Sequence, residues 1–249
     1  MPGIVTLTTD FGDRDGYVGA MKGVILSRAP GVTLVDITHA VPPYDVAAAA
    51  NALADAAPYF PPGTVHVAVV DPGVGGARAA VVVAARGHLF VGPDNGIFAL
   101  AAPRPDAIHA IAEPDFRRAP VAATFHGRDV FAPTAAQLAL GAPPSAAGPA
   151  VALRGRLELA AGDRVVHVDR FGNLVTDIAG VPAAATVRIA GRAIPGVSLT
   201  YESVAPGELV AYVGSRGTIE IAVREGSAAE LLGAGRGTAV EIDAEVDTA

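Results

Sequence analysis

The stretch Val65-His66-Val67-Ala68-Val69-Val70-Asp71-Pro72-Gly73-Val74-Gly75-Gly76-Ala77-Arg78 decides how this chain is read. Its apolar opening, Val65 to Val70, has the composition of a buried strand. The strand stops at Asp71-Pro72, because proline has no N–H with which to extend a central ladder. The three glycines that follow let the backbone approach a ligand or take positive φ. Arg78 closes the loop. A carboxylate at a strand tip and a guanidinium across a glycine loop can hold a small polar species between them. The same pair can equally form a tight salt-bridged turn, since ion pairs are often only structural.

Toward the N-terminus, Ile4 to Thr8 reads as a strand running into the acidic loop Thr9-Asp10-Phe11-Gly12-Asp13-Arg14-Asp15-Gly16. Tyr17 to Ala29 has helical spacing, stopped by Pro30-Gly31. Val32 to Ile37 is a second strand, followed by the loop through Tyr44. Asp45 suits the N-cap of an alanine-rich helix to about Ala57. Strand, helix, strand, helix, strand predicts parallel strands with crossover helices. Such sheets bind ligands at the carboxyl ends of their strands. The loops carrying Asp10, Tyr44 and Asp71 then share one edge.

Toward the C-terminus, Ala79 to Ala85, His88 to Val91 and Ile108 to Ile111 are further strands, and Val130 to Leu140 a helix. Gly141 to Pro149 has linker composition. After it come short strand candidates between turn residues: Arg164 to Val168, Leu174 to Ile178, Ala185 to Ile189, Ala193 to Leu199, Leu209 to Val213, Thr218 to Val223 and Thr238 to Ile242. This spacing predicts a small antiparallel barrel or sandwich. The expected organisation is an α/β domain with a largely parallel sheet over residues 1–141, a linker over 142–155, and an antiparallel β-barrel-like domain over 156–249.

The chain has 249 residues, of which 51% are hydrophobic and 17% charged, with net charge −7 and no cysteine. Thiol catalysis, disulfides and cysteine-ligated metal are therefore excluded. The negative charge argues against partners held by nucleic-acid phosphates or an anionic membrane. No apolar run approaches the ~20 residues of a membrane span, and no signal-like segment opens the chain. A soluble cytoplasmic protein is the expectation.

The candidate sites each have a plain alternative. Asp10, Asp13 and Asp15 fail the EF-hand pattern, because Phe11 and Lys22 stand where ligands should be. A carboxylate at the tip of the first strand suits ribose hydroxyls, or else caps a helix. The Asp71 loop lacks the Lys-Ser/Thr of a P-loop. Read as G-x-G-x-x-G from Gly73, it places Arg78 at the third glycine. It does resemble the acidic glycine-rich first motif of Rossmann methyltransferases, with Asp94 as a possible ribose acid or a mere turn residue. His126 lies in the polar cluster Thr124 to Asp129. The other five histidines show no metal-ligand spacing, so no metal site is expected. Asp169-Arg170-Phe171-Gly172-Asn173 is either a hairpin turn or an aromatic flanked by polar groups that can stack on a base. Tyr201 and Ser215-Arg216-Gly217 read the same two ways.

Thr8-Thr9-Asp10-Phe11-Gly12, Val69 to Gly75, Phe125-His126-Gly127-Arg128-Asp129 and Asp169 to Asn173 occur in this order. As an ordered set they resemble the S-adenosyl-L-methionine (SAM) hydroxide adenosyltransferases, relatives of the fluorinases and chlorinases. The resemblance covers both halves of the chain, whereas the methyltransferase reading explains neither the Asp10 loop nor the β-rich half. It implies a homotrimer hydrolysing SAM to adenosine and L-methionine, with SAM between neighbouring subunits and no separate cofactor. By motif, Asp10 would hold the ribose hydroxyls, with Asp15 and Tyr44 in the same pocket. Asp169 and Asn173, helped by Ser215 and Arg216, would hold the methionine end, and Phe171 and Tyr201 would wall the nucleoside. Asp71, Arg78 and His126 match the family's water-associated trio. A carboxylate paired to a guanidinium is a weak base, so Asp71 is expected to orient the water and His126 to accept or relay its proton. A halogenase on the same scaffold and a non-catalytic SAM sensor are the alternatives.

Overall fold

The computed structural model describes residues 3–157 and 162–244, which divide into two compact units, Met1–Glu158 and Leu159–Ala249. In the first unit, β1 (Ile4–Thr9), α1 (Tyr17–Arg28), β2 (Thr33–Thr38), α2 (Val46–Ala56) and β3 (Val65–Val69) alternate as the sequence predicts. Then come β4 (Ala80–Ala85), β5 (His88–Pro93), β6 (Ala107–Ala110) and α3 (Ala132–Ala139). The sheet order is β2-β1-β3-β5-β4-β6. β1 pairs in parallel with β2 and β3, and β3 with β5, while β4 runs antiparallel to both its neighbours. The antiparallel pair follows from the short Arg86-Gly87 turn, which leaves no room for a crossover.

The central strands are buried on both faces, which is why β3 is a continuous apolar run. Val65, Val67 and Val69 face a core shared with Met21 and Ile25 of α1 and Ala132 and Ala135 of α3. Ala68 and Val70 face the opposite core, with Ala49 and Leu53 of α2. The Asp45 side chain caps α2, accepting from the backbone N–H of Ala48 at 2.9 Å. Within this sheet His66 is fully buried. Its Nδ1 lies 2.8 Å from the Thr6 hydroxyl and its Nε2 3.3 Å from His88 Nδ1. Burial, and then the neighbouring His88, pushes the His66 pKa down to about 3.

Two details of this unit differ from expectation. The helix expected from Val130 begins earlier, as a π-turn over Gly127–Phe131 that leads into α3. The stretch 142–155 belongs to the first unit: Ala147 is fully buried and accepts from the backbone N–H groups of Ala112 and Glu113. The N–H groups of Arg154 and Gly155 both donate to the buried carboxylate of Asp94. Proline and glycine mark bends, and here the bends are tied down by hydrogen bonds.

In the second unit β7 (Val165–Val168), β8 (Leu174–Ala179), β9 (Thr186–Ile189), β10 (Arg192–Pro195), β11 (Leu209–Val213), β12 (Thr218–Val223), α4 (Ala228–Leu232) and β13 (Val240–Asp243) follow in order. They form two antiparallel sheets, β11-β12-β8-β7 and β10-β9-β13. Both contribute to one core, with Leu174, Ile219 and Ile221 from one and Val187, Ile189 and Val240 from the other. The strand expected to Leu199 ends at Pro195, where Gly196 turns the chain at positive φ. The short α4 was not foreseen, because five residues carry too little periodicity to register.

Candidate functional site

Asp71 stands just beyond the carboxyl end of β3, and the carbonyl of Val70 before it accepts from Asn95 Nδ2 at 2.8 Å. The glycine loop then folds onto the segment before His126. Gly75 has φ of 76°, and a Cβ there would sit 2.4 Å from the carbonyl oxygen of Ala123. Only glycine permits that approach, and the approach brings Arg78 to His126.

Arg78 holds Asp71 through two hydrogen bonds, one from Nε to Oδ1 at 3.0 Å and one from Nη2 to Oδ2. Its Nη2 also lies 2.8 Å from His126 Nδ1. The Asp71 and Arg78 side chains are only 5% and 12% exposed, and the guanidinium lies over the Phe131 ring. A guanidinium can only donate, so His126 Nδ1 is an acceptor and the neutral ring carries its proton on Nε2. Burial lowers the His126 pKa, Arg78 lowers it further, and Asp71 partly opposes them. The ring is therefore neutral at physiological pH.

The loop that carries His126 is tied down by Asp129, whose side chain is fully buried. That carboxylate accepts from the Ala122 N–H, from Arg118 Nη1 and from Arg128 Nε and Nη2. The Arg128 hydrogen bonds, above all, draw its pKa down to about 2. The four bonds pin the loop that carries Phe125 and His126, and Arg128 also covers the Phe125 ring at 4.9 Å.

A pocket of about 370 Å³ opens here, lined by Asp10, Tyr44, Asp71 and His126 together with Phe11, Tyr17 and Phe125. The three aromatic rings pack on one another with centroids 5.3–6.1 Å apart. Asp10 Oδ2 accepts from the backbone N–H of Tyr44 at 2.9 Å. Tyr44 is 73% exposed and sits at φ of 68°, a conformation costing roughly 1–2 kcal/mol for a non-glycine residue. The expected shared edge is thus present in the loops of Asp10, Tyr44 and Asp71. Asp15 is exposed and does not line this pocket.

The second unit has its own pocket, about 650 Å³, lined by Phe171, Asn173, Tyr201, Glu202 and the segment Val223 to Gly226. Asp169 lies in the β7–β8 turn. Its Oδ1 accepts from the backbone N–H groups of Phe171 and Asn173, and its Oδ2 from Asn173 Nδ2 at 2.8 Å. The hairpin-turn reading of Asp169 to Asn173 is correct as local structure, and the turn presents Phe171, 75% exposed, and Asn173 to the pocket. Ser215 and Arg216 occupy the β11–β12 turn and do not line the pocket.

Sequence reasoning missed Tyr17, Asp129, Tyr212 and Glu220. Tyr212 and Glu220 lie directly opposite each other on β11 and β12. Counting outward from the Gly214–Gly217 turn would have paired them. Among the described residues, no group of three or more His, Asp or Glu side chains is placed to hold a metal ion. No described helix is long and apolar enough to cross a membrane.

Known proteins share this fold. The family profile described as SAM hydroxide adenosyltransferase N-terminal domain matches residues 5–148, and that of the C-terminal domain residues 163–241. An (R)-S-adenosyl-L-methionine hydrolase of Thermus thermophilus is 46% identical, over 96% of this chain and 98% of its own. One of Salinispora tropica is 43% identical, over 96% and 97%. A fluorinase of an Actinoplanes species is more distant, at 29% identity over 59% of this chain and 58% of its own. The crystal structure of an uncharacterized conserved protein from Thermotoga maritima superposes with a TM-score of 0.89 at 34% identity, covering 97% of this chain and all of that one.

Proposed function

The chain belongs to the SAM hydroxide adenosyltransferase family, and we propose that it hydrolyses SAM to adenosine and L-methionine by displacement at the ribose C5′ with water. The observation that carries this reading is the part-buried Asp71–Arg78–His126 cluster at the edge of a pocket that Asp10 also lines. The relatives named (R)-S-adenosyl-L-methionine hydrolases favour the R sulfonium epimer as substrate. No sequence motif carries that stereochemistry.

The water oxygen attacks C5′, the C5′–S bond breaks, and its electron pair stays on sulfur, which leaves as a neutral thioether. No acid is needed for the leaving group. One proton must leave the water. With His126 Nδ1 accepting from Arg78, the Nε2–H can only donate, so His126 holds the water oxygen and Asp71 accepts its proton. This reverses the roles expected from the sequence. Arg78 orients the Asp71 carboxylate and holds His126 in one tautomer. Alignment of the oxygen opposite sulfur supplies proximity, and the aromatic wall of Phe11, Tyr17 and Phe125 limits competing solvent.

The reading extends to a cytoplasmic homotrimer in which neighbouring subunits contribute residues of both units to each SAM. It requires no cofactor. Asp10 binds the ribose hydroxyls beside Tyr44, with Asp15 contributing from the exposed loop that follows. Asn173 and Asp169, with Ser215 and Arg216, take the methionine end, and Phe171 and Tyr201 the nucleoside.

The test is incubation of the purified protein with each sulfonium epimer in ¹⁸O-water, with and without chloride, followed by mass spectrometry. Adenosine labelled at the 5′ oxygen and methionine are expected, faster from the R epimer and independent of chloride. A 5′-chloro product, or SAM recovered unchanged, overturns the reading.

A further inference from the structure

A hydrogen-bond chain runs through the second unit from its pocket to β12. Asn173 Nδ2 donates to Asp169 Oδ2 at 2.8 Å and to the Tyr201 hydroxyl at 3.1 Å. The Tyr201 hydroxyl meets that of Tyr212, and Tyr212 donates to Glu220 Oε2 at 2.6 Å. Tyr212 is buried, and Glu220 partly so.

Glu220 has a direction to impose. Tyr212 donates to its carboxylate oxygen, so the Tyr212 proton is used there. The Tyr212 oxygen can then only accept, and the Tyr201 proton is used there. The Tyr201 oxygen can in turn only accept, from Asn173. Both amide hydrogens of Asn173 are thereby used, one on Tyr201 and one on Asp169. What remains toward a ligand in this pocket is the Asn173 carbonyl oxygen and one lone pair on the Tyr201 hydroxyl.

We propose that Tyr212 and Glu220 are positioning residues that make the polar groups of this pocket wall acceptors only, so that it selects a ligand amine and rejects an isosteric carbonyl. The proposal rests on the SAM reading for the identity of the amine. SAM carries two, the exocyclic amine of adenine and the ammonium of its amino acid. Cutting the chain at Tyr212 frees the Tyr201 hydroxyl to rotate and donate, and the selection relaxes. A buried polar pair rejects a mismatched group because one partner is left unsatisfied.

The experiment is calorimetric titration of the full-length protein with adenosine against inosine, and with L-methionine against its 2-oxo analogue. It is run on the wild type, Tyr212→Phe, Glu220→Leu and Glu220→Gln. The wild type should prefer the amine in one of the two pairs, and that pair identifies the group. The preference should fall about tenfold in Tyr212→Phe and Glu220→Leu and survive in Glu220→Gln, which retains an acceptor oxygen. Glu220→Leu carries the test if Tyr212→Phe does not fold. An unchanged preference in Glu220→Leu, or no preference in the wild type, overturns the proposal while SAM turnover stands. A wild type that binds none of the four ligands and leaves SAM intact overturns the SAM reading itself.

Discussion

The pockets of the two units are built from similar side chains used in opposite ways. In the first, Asp71, Arg78 and His126 leave one proton acceptor and one N–H donor side by side, and Arg78 fixes the tautomer of the ring. In the second, Asp169, Asn173, Tyr201, Tyr212 and Glu220 share their protons along a single direction. One arrangement is suited to moving a proton, the other to recognising a fixed pattern of donors. A carboxylate is therefore a base or a template according to what its neighbours leave uncovered.

The largest expected effect separates the two directly. Asp71→Asn keeps the shape but removes the proton acceptor, and kcat should fall roughly 10²–10⁴-fold with KM for SAM nearly unchanged. Steady-state adenosine release measures both. A rise in KM with kcat preserved would place Asp71 with the recognition groups and break the comparison.

Next is the support behind His126. Asp129→Ala removes a buried acceptor of four hydrogen bonds and leaves Arg118 and Arg128 without it. Both arginines reach solvent, so the cost should be about 2–3 kcal/mol, below that of breaking a fully buried pair. Urea denaturation measures it, and a midpoint equal to wild type would show that the loop is held by other means.

Acid should distinguish the units as well. The folded His66 pKa, about 3, lies below the unfolded value, so the unfolded chain binds more protons between the two. Stability from this group is complete above about pH 6.5 and declines as pH falls toward 3, by up to about 1.4 kcal/mol per pH unit. The second unit has a single histidine, His167. Urea titrations between pH 7 and 4, followed by hydrogen exchange resolved along the chain, should show the first unit losing protection first. Equal loss in both would refute it. In the same range, kcat should hold to below the ordinary histidine pKa, since that of His126 is depressed.

The smallest effect sharpens the other side. Asn173→Ala should raise KM about tenfold while kcat stays within a factor of about three. Saturation kinetics decide it, and a kcat loss without a KM change would assign Asn173 to the chemistry.

Much of this was legible in the residues. The apolar run Val65 to Val70, its stop at Asp71-Pro72 and the helix cap at Asp45 each follow from rules acting over a few residues. So does the shared edge of the Asp10, Tyr44 and Asp71 loops, which needs only parallel strands. Asp15, Ser215 and Arg216, placed by resemblance, line neither pocket. Asp129 was hidden because its importance lies in Arg118 and Ala122, brought to it by a turn that has no periodic signature.

By itself, then, the sequence determined the order of elements, the two units, the family and the side chains from which a site could be made. The tertiary structure decided which atom of each side chain remains available. The His126 tautomer depends on Arg78, 48 residues away, and the polarity of Asn173 depends on Glu220 through two tyrosines. Hydrogen bonds are directional and saturable. Their sense is set by the last partner in a chain of contacts, and contacts between distant residues exist only once the backbone has folded.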